Sequence, residues 1–273
     1  MFQLLETFTT VYEEQNFTKA AKKLYISQPT ISVHIEKLEQ DLGIKLFLRS
    51  GNNRITPTKA ADFLYEKATQ MKNNWSGILS ELARLDGGER KKFKIAASQT
   101  IGDFLLPQIL KPLTDQFPHV DFNFFIENSS HVFHSVHMLD ADIGLVESPE
   151  IVPGVEREIF MWDEMVVFGS PENKTWIFRE KGSGIRAYTD QYLLEENIQP
   201  EEKMVINHNA MIHQAIELGL GRTLQSKFVT HSEQVTQEKT DLNRPFYLIT
   251  SEQNRNLDLE IKECVFKLLG DLK

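Results

Sequence analysis

The sequence predicts an α/β chain: a helix-rich N-terminal module, one long helix, and a larger module in which strands and helices alternate. Three observations predict it. Residues 1–58 carry apolar stripes at helical spacing, separated by capping residues and closed by two short β-type runs. Residues 59–86 repeat apolar positions at alternating spacings of four and three. From Phe93 onward, apolar runs of strand length recur between helical stretches, the pattern of an α/β domain.

The 273 residues suffice for about two domains. A single cysteine, Cys264, excludes a disulfide framework and a four-cysteine zinc site. The opening MFQLLETF has no basic segment leading into an apolar run, and no stretch approaches the roughly 18 apolar residues of a membrane span. A soluble, cytoplasmic protein without a membrane partner is expected. The net charge of -9 argues at first sight against nucleic acid, whose phosphates demand cations. Its distribution argues the other way. Residues 15–59 hold 8 basic and 3 acidic side chains, a local +5 opposite in sign to the whole.

Leu4, Leu5, Phe8, Val11 and Tyr12 mark the first helix. Thr18 is the expected N-cap of a second, from Lys19 to Leu24, in which Ala20 and Ala21 permit close helix approach. After a turn at Tyr25-Ile26, Ser27 caps a third helix with Pro29 in its first turn. Ile31, Ile35, Leu38 and Leu42 form its buried stripe, and Gly43 stops it. Two helices across a tight turn read as a helix-turn-helix. Pro29, Ser32, Val33, Glu36 and Lys37 lie off the stripe and face outward. The N-terminal end of a recognition helix reaches base edges, so Gln28, Pro29, Ser32 and Val33 are the first candidates for reading them. Gln pairs bidentately with adenine, while Pro and Val offer apolar surface to a thymine methyl. Ile44 to Thr56 holds two β-type runs about Ser50-Gly51-Asn52-Asn53, a wing whose Arg49 and Arg54 suit phosphate or minor-groove contact. Thr18, Lys19, Thr30, Lys37 and Thr56 complete the candidate DNA-binding set.

The segment FTKAAKKLYISQPTISVHIEKLEQDLGIKLFLRSGNNRITPTKAA resembles the winged helix-turn-helix of LysR-type transcriptional regulators. Ala20-Ala21, Leu24, Ser27-Gln28-Pro29, Ser32, Ile35, Leu38-Glu39, Leu42-Gly43, Leu46-Phe47, Arg49 and Thr56-Pro57-Thr58 carry the likeness. It implies a regulator of double-stranded promoter DNA, not an enzyme. Val33 departs from the family pattern, which often has an arginine there, and this implies a more apolar base preference.

Thr56 is the expected cap of the long helix, with Pro57 at its first position. Leu64, Ala68, Met71, Trp75, Ile78, Leu82 and Leu85 then form a heptad seam for dimerisation, which would present two winged modules to two half-sites. A seam resting on the chain's own core is the alternative. Asp86-Gly87-Gly88-Glu89 breaks the helix and Arg90-Lys91-Lys92 continues a polar hinge. The expected organisation is 1–58 winged module, 59–86 linker helix, 87–92 hinge and 93–273 regulatory domain.

In that domain, strands are expected at Phe93–Ala97, Val120–Ile126, Ile143–Val146, Met165–Phe168, Trp176–Phe178, Met204–Ile206 and Tyr247–Thr250, in largely parallel sheets. Helices are expected from about Thr100 and near 184–197, 209–218 and 257–269. Ligands of such sheets bind beyond the carboxyl ends of the strands. The LysR resemblance continues through Ile95-Ala96-Ala97-Ser98, Leu105-Leu106-Pro107, Asp142-Ile143-Gly144-Leu145, Gly182-Ser183-Gly184-Ile185-Arg186 and Gly219-Leu220-Gly221. It implies two α/β lobes hinged like a periplasmic binding protein around a small-molecule effector, and no other cofactor. The chain is short for the family, which implies that the C-terminal part of the first lobe is trimmed. By position, Ser98, Gln99, Thr100, Asn128, Ser129, Glu147, Asn207, His208 and Asn209 are the candidate effector contacts, each of which could instead be a cap or turn residue. Glu147 would favour a cationic group, and Arg186 or Arg222 could anchor an anion; an amino-acid-like zwitterion fits. The family also implies a homodimer or a tetramer built as a dimer of dimers, with RNA polymerase a further candidate partner.

His131, His134 and His137 share part of a helical face, so a metal-responsive regulator is conceivable, although the usual helical pair is i, i+4. Gly182-Ser183-Gly184 lacks the lysine of a P-loop, and no nucleophile elbow or paired-carboxylate motif is present. The remaining alternative is an α/β ligand-binding or enzymatic domain using the N-terminal helices only for assembly.

Overall fold

The computed structural model describes residues 1–50, 54–85, 90–229, 232–254 and 256–272, and within these not the side chains of 49, 50, 54, 80, 81 and 83–85. The chain divides into two compact units, Met1–Gly77 and Ile78–Lys273.

In the first unit, α1 (Phe2–Glu14), α2 (Phe17–Lys23) and α3 (Gln28–Leu42) bury Phe8, Val11, Ala20, Ala21, Ile31, Ile35 and Leu38 in one core. Asn16, not Thr18, caps α2, its side chain accepting from the Lys19 amide at 3.0 Å. The helix begins at Phe17, so Thr18 stands too late to reach a free amide. Ser27 caps α3 as expected, and Gly43 closes it at φ 67°, a left-handed conformation glycine adopts without strain. Leu42, expected in the buried stripe, is 46% exposed, because the chain turns away at Gly43. Glu39 is buried in its stead.

Strands β1 (Phe47–Ser50) and β2 (Arg54–Pro57) pair antiparallel, from Phe47 with Pro57 to Ser50 with Arg54. Of the turn expected at Ser50-Gly51-Asn52-Asn53, residues 51–53 lie outside the described residues. Thr56 and Pro57 belong to β2, so the cap of α4 (Lys59–Leu85) is Thr58, whose hydroxyl accepts from Ala61 N at 3.2 Å.

The second unit begins its sheet at β3 (Lys91–Ser98), so Lys91 and Lys92, expected in a hinge, are already strand. There follow α5 (Gln99–Phe104), α6 (Leu106–Gln116), β4 (Val120–Glu127), α7 (Ser129–His137), β5 (Ile143–Val146), β6 (Val155–Phe168) and β7 (Thr175–Phe178). Then come α8 (Gly184–Glu195), β8 (Glu202–Val205), α9 (Asn209–Glu217), β9 (Thr223–Ser226), β10 (Gln237–Ser251) and α10 (Leu259–Gly270). The main sheet runs β4-β3-β5-β10-β6-β9, with β7-β8 a separate parallel pair. It is mixed rather than largely parallel. β3 is parallel to β4 and β5, whereas β10 runs antiparallel to β5 and β6, and β9 antiparallel to β6. The long return strand β10 imposes this, because it pairs with elements of both halves.

Those halves are two lobes. Phe93, Ile95, Leu113, Ile143, Phe160 and Phe246 share one core with Ile261, Val265 and Leu269 of α10. Met165, Val167, Trp176, Phe178, Tyr188 and Leu224 form a core of the second lobe. β6 thus contributes Phe160 to one lobe and Met165 and Val167 to the other. Between them, Asp163 stands opposite Arg244 of β10, with the Arg244 Nε donating to Oδ2 at 2.8 Å. Both are 0% exposed, and Ser226 Oγ donates to the second Asp163 oxygen at 2.7 Å. Asp163→Ala is expected to leave a buried guanidinium without its counter-charge and to destabilise the second unit by about 3–5 kcal/mol. Urea unfolding followed by tryptophan fluorescence measures this; a loss below about 1 kcal/mol would show that the pair is not structural.

Candidate functional site

The outward face of α3 presents Gln28, Pro29, Val33 and Lys37 as exposed side chains, with Thr30 and Ser32 half-buried beside them. The side chains are partly pre-set. Gln28 Nε2 donates to Ser32 Oγ at 3.1 Å, and Thr30 Oγ1 lies 2.8 Å from Ser27 Oγ. Thr18 and Lys19 are exposed in the first turn of α2, and Thr56 is exposed on β2. The side chains of Arg49 and Arg54 lie outside the described residues; their backbones pair with Ile55 and Ser50 across the wing.

The base of the wing is held by a buried carboxylate. Glu39, 7% exposed, accepts from the amides of Leu46 at 2.8 Å and Phe47 at 3.2 Å, and from Lys45 Nζ at 2.6 Å. Burial alone would raise its pKa, but the Lys45 ammonium and the two amides outweigh that and hold it below the usual carboxylate value. Thr58 secures the other end, donating its hydroxyl to Lys45 O at 3.0 Å and its amide to Leu46 O at 3.0 Å.

Tyr25, which the sequence marks only as a turn residue, is 95% exposed at φ 55°. A left-handed backbone costs a non-glycine residue roughly 1–2 kcal/mol, and here no burial offsets it. No sequence signal singles it out, because position, not residue type, makes it unusual.

The long seam divides. Leu64 and Ala68 pack within the first unit, as the own-core alternative requires, whereas Met71, Trp75, Ile78 and Leu82 are exposed. Trp75 also stacks obliquely on Phe2, ring centres 5.8 Å apart. The Leu85 side chain lies outside the described residues.

In the second unit, Ser98 ends β3, Gln99 and Thr100 open α5, and Glu147 follows β5, the strand next to β3. Ser98, Thr100 and Glu147 are buried; among the described residues, Ser98 Oγ, Thr100 Oγ1 and Glu147 Oε2 have no hydrogen-bond partner. The facing lobe supplies Asn209 at the start of α9, with Asn207 and His208 exposed just before it. Gln99 joins the two lobes: its Nε2 donates to Asn207 O and its Oε1 accepts from Asn209 N, both at 3.0 Å. A second seam forms where Gly184 N donates to Ser129 Oγ at 3.3 Å and Ser130 N to Gly182 O at 3.0 Å. Asn128 is committed as the cap of α7, accepting from His131 N.

The anion anchors expected from sequence lie elsewhere. Arg186 pairs with Asp190 and stacks on Phe178, and Arg222 pairs with Glu238 and stacks on Trp176. The buried cation near Glu147 is Arg244, its Nη1 3.7 Å from Glu147 Oε1. Its signal in the sequence is a charge directly before an apolar strand run, Arg244-Pro245-Phe246-Tyr247-Leu248-Ile249. His131, His134 and His137 all lie on α7, but among the described residues no three His, Cys, Asp or Glu side chains are grouped to hold a metal ion.

A family model for the "LysR substrate binding domain" matches residues 86–258, and one for "Bacterial regulatory helix-turn-helix protein, lysR family" matches residues 2–62. The HTH-type transcriptional regulator CysL of Bacillus subtilis (strain 168) is 35% identical over 252 residues, covering 87% of this chain and 84% of the relative. The uncharacterized HTH-type transcriptional regulator YeiE of Escherichia coli (strain K12) is 30% identical, covering 84% of this chain and 81% of its own. Among solved structures, full-length CbnR in complex with its target DNA superposes with a TM-score of 0.69 at 16% identity, over 98% of each chain. A full-length OxyR variant from Pseudomonas aeruginosa gives 0.64 at 18% identity, over 100% of this chain and 98% of that one. Among the described residues, no helix is long and apolar enough to cross a membrane.

Glu39 makes the wing pH-sensitive in a defined direction. Its pKa is lower folded than unfolded, so its contribution is complete above the ordinary Glu pKa of about 4.3 and is lost as pH falls through the folded value. Glu39→Gln is expected to cost about 1–3 kcal/mol at pH 7. The gap in unfolding midpoint between wild type and variant should narrow in acid; a gap independent of pH would refute the assignment.

Proposed function

The chain belongs to the LysR family of DNA-binding transcriptional regulators, and on that premise we propose how its residues read DNA and sense a ligand. It carries an effector-binding domain and is not an enzyme. Regulators of this family bind promoter DNA and small-molecule effectors and form oligomers.

The observation that carries the DNA reading is the Gln28–Ser32 pair, oriented on the exposed N-terminal end of α3 above an apolar stripe. In the proposal, α3 enters the major groove. Gln28 and Ser32 address base edges while Pro29 and Val33 favour a thymine methyl. Thr18, Lys19, Thr30, Lys37 and Thr56 take phosphate or sugar contacts, and Arg49 and Arg54 extend the wing along the backbone. Tyr25, exposed in the turn before α3, is an additional DNA contact. The exposed stretch of α4 through Met71, Trp75, Ile78 and Leu82 pairs with a second copy, giving a homodimer and, by a further contact, a tetramer. The effector occupies the inter-lobe cleft and releases the Gln99 clasp, changing lobe geometry because it binds the open and closed states unequally. Contact with RNA polymerase and a cytoplasmic location belong to the same reading.

Gln28→Ala should cost about 1–3 kcal/mol of discrimination between cognate and altered duplexes. Arg54→Ala should instead weaken all duplexes alike and reduce the salt slope by about 1. Fluorescence anisotropy on paired duplexes across a salt series separates the two; unchanged selectivity in Gln28→Ala refutes the reading helix. Leu82→Lys should shift sedimentation toward smaller species, and an unaltered oligomer would show that α4 is not the dimer contact.

A further inference from the structure

We infer that the ligand of the inter-lobe cleft is a small zwitterion of the amino-acid class, its ammonium held by Glu147 and its carboxylate by Arg244 with Ser98 and Thr100. The inference rests on the cleft reading above and names the chemistry that site takes.

Arg244, Asp163 and Glu147 are each at most 2% exposed and lie in one chain of contacts, 2.8 Å and 3.7 Å long. One cation and two carboxylates leave a formal surplus of one negative charge where burial makes an unpaired charge costly. Asp163 is fully engaged, with one oxygen on Arg244 Nε and the other on Ser226 Oγ. The surplus therefore falls on Glu147, whose Oε2 has no hydrogen-bond partner among the described residues. Two further cations of these lobes are already committed: Arg157 to the carbonyls of Pro149 and Glu150 and to the face of Tyr247, and the buried Arg179 to Glu180 and Asn209. A protonated amine supplies both the missing charge and the missing donor.

The other half of the ligand follows from Arg244. Its Nε is turned to Asp163, while Nη1 and Nη2, on the edge nearer Glu147, make no hydrogen bond to any described residue. That edge is a planar fork suited to a carboxylate. Ser98 Oγ and Thr100 Oγ1, at the end of the strand beside β5, are two further buried hydroxyls without such partners. A simple dianion would set its second charge against Glu147, and a simple amine would leave the fork unmatched. An α-amino acid bears its two charges on neighbouring carbons, matching a cation and an anion that are themselves adjacent. Gly184 of the facing lobe closes over Glu147: a Cβ there would come within 2.9 Å of Glu147 Cγ. Access therefore requires parting of the Ser129–Gly184 and Gln99–Asn209 contacts.

The test uses the full chain and matched sets of proteinogenic α-amino acids, their 2-hydroxy acid counterparts and their N-trimethyl betaines, with inorganic sulfate and simple dicarboxylates alongside. Thermal shift screens them and calorimetry gives the affinities. At least one amino acid should bind wild type, with its hydroxy and betaine analogues weaker by about 10-fold or more. Glu147→Gln should lose about 10- to 100-fold for the amino acid and little for the hydroxy acid. Hydroxy acids, sulfate or dicarboxylates binding wild type as tightly as amino acids would overturn the zwitterion while leaving the cleft. Binding indifferent to Glu147→Gln, Ser98→Ala and Gln99→Ala would place the ligand elsewhere and overturn both, whereas no binding from any set would overturn the zwitterion alone. The analogue comparison is made on wild type and depends on no variant folding.

Discussion

Where β6 and β10 pass from one lobe into the other, the interior of the sheet holds a salt bridge instead of an apolar pair. Arg244 and Asp163 face each other in strand register, sealed from water. An ion pair so placed adds little net stability over a hydrophobic pair, yet it tolerates no sliding, since any slip strands a charge. The register of two long strands is thereby pinned at their crossing. From that register follow the assignment of Phe160 to one core and Met165 to the other, and the placement of Arg244 beside the end of β5. The cleft inherits its electrostatics from a structural pair.

The N-terminal module uses the same device at smaller scale. Glu39 is a carboxylate inside a helical stripe, and its Oε1 supplies the missing partner for the first amides of the wing. Glu39 therefore ties α3 to the base of the wing, so the surfaces proposed to meet groove and backbone are set relative to each other. In both units a buried acid ties together the elements that carry the proposed site, and the apolar core supplies the driving force around it.

Much of this is legible in the sequence, because local rules govern it. Ser27, Pro29 and Gly43 bracket α3 as capping chemistry requires, and the family likeness identifies both halves of the molecule. Expectation and structure part where tertiary contacts override a local pattern. Thr18 and Asn16 are both acceptable caps, and only the helix start decides between them. Leu42 fits the apolar period, yet Glu39 takes the buried place because amides from seven and eight residues onward reach it. β6 and β10 run well beyond the short strands their apolar runs suggest, since Asp163 and Arg244 stand where those runs break off; each is explained only by the other, 81 residues away. For the same reason Arg186 and Arg222 resemble ligand anchors in the sequence, whereas each already has a partner within its own lobe. Periodicity reports which residues are buried, not which charges meet.

The Gln99 carboxamide bridges a carbonyl and an amide of the facing lobe, one donor and one acceptor satisfied at once. A molecule working through this cleft competes with a group tethered to the protein, and a tethered competitor acts at a high effective concentration. Its apparent affinity is reduced by the fraction of time the lobes stand open. The clasp therefore acts as a threshold. On the proposed reading it sets how abundant an effector must become before the regulator responds, and it leaves the choice of effector to the charges beneath.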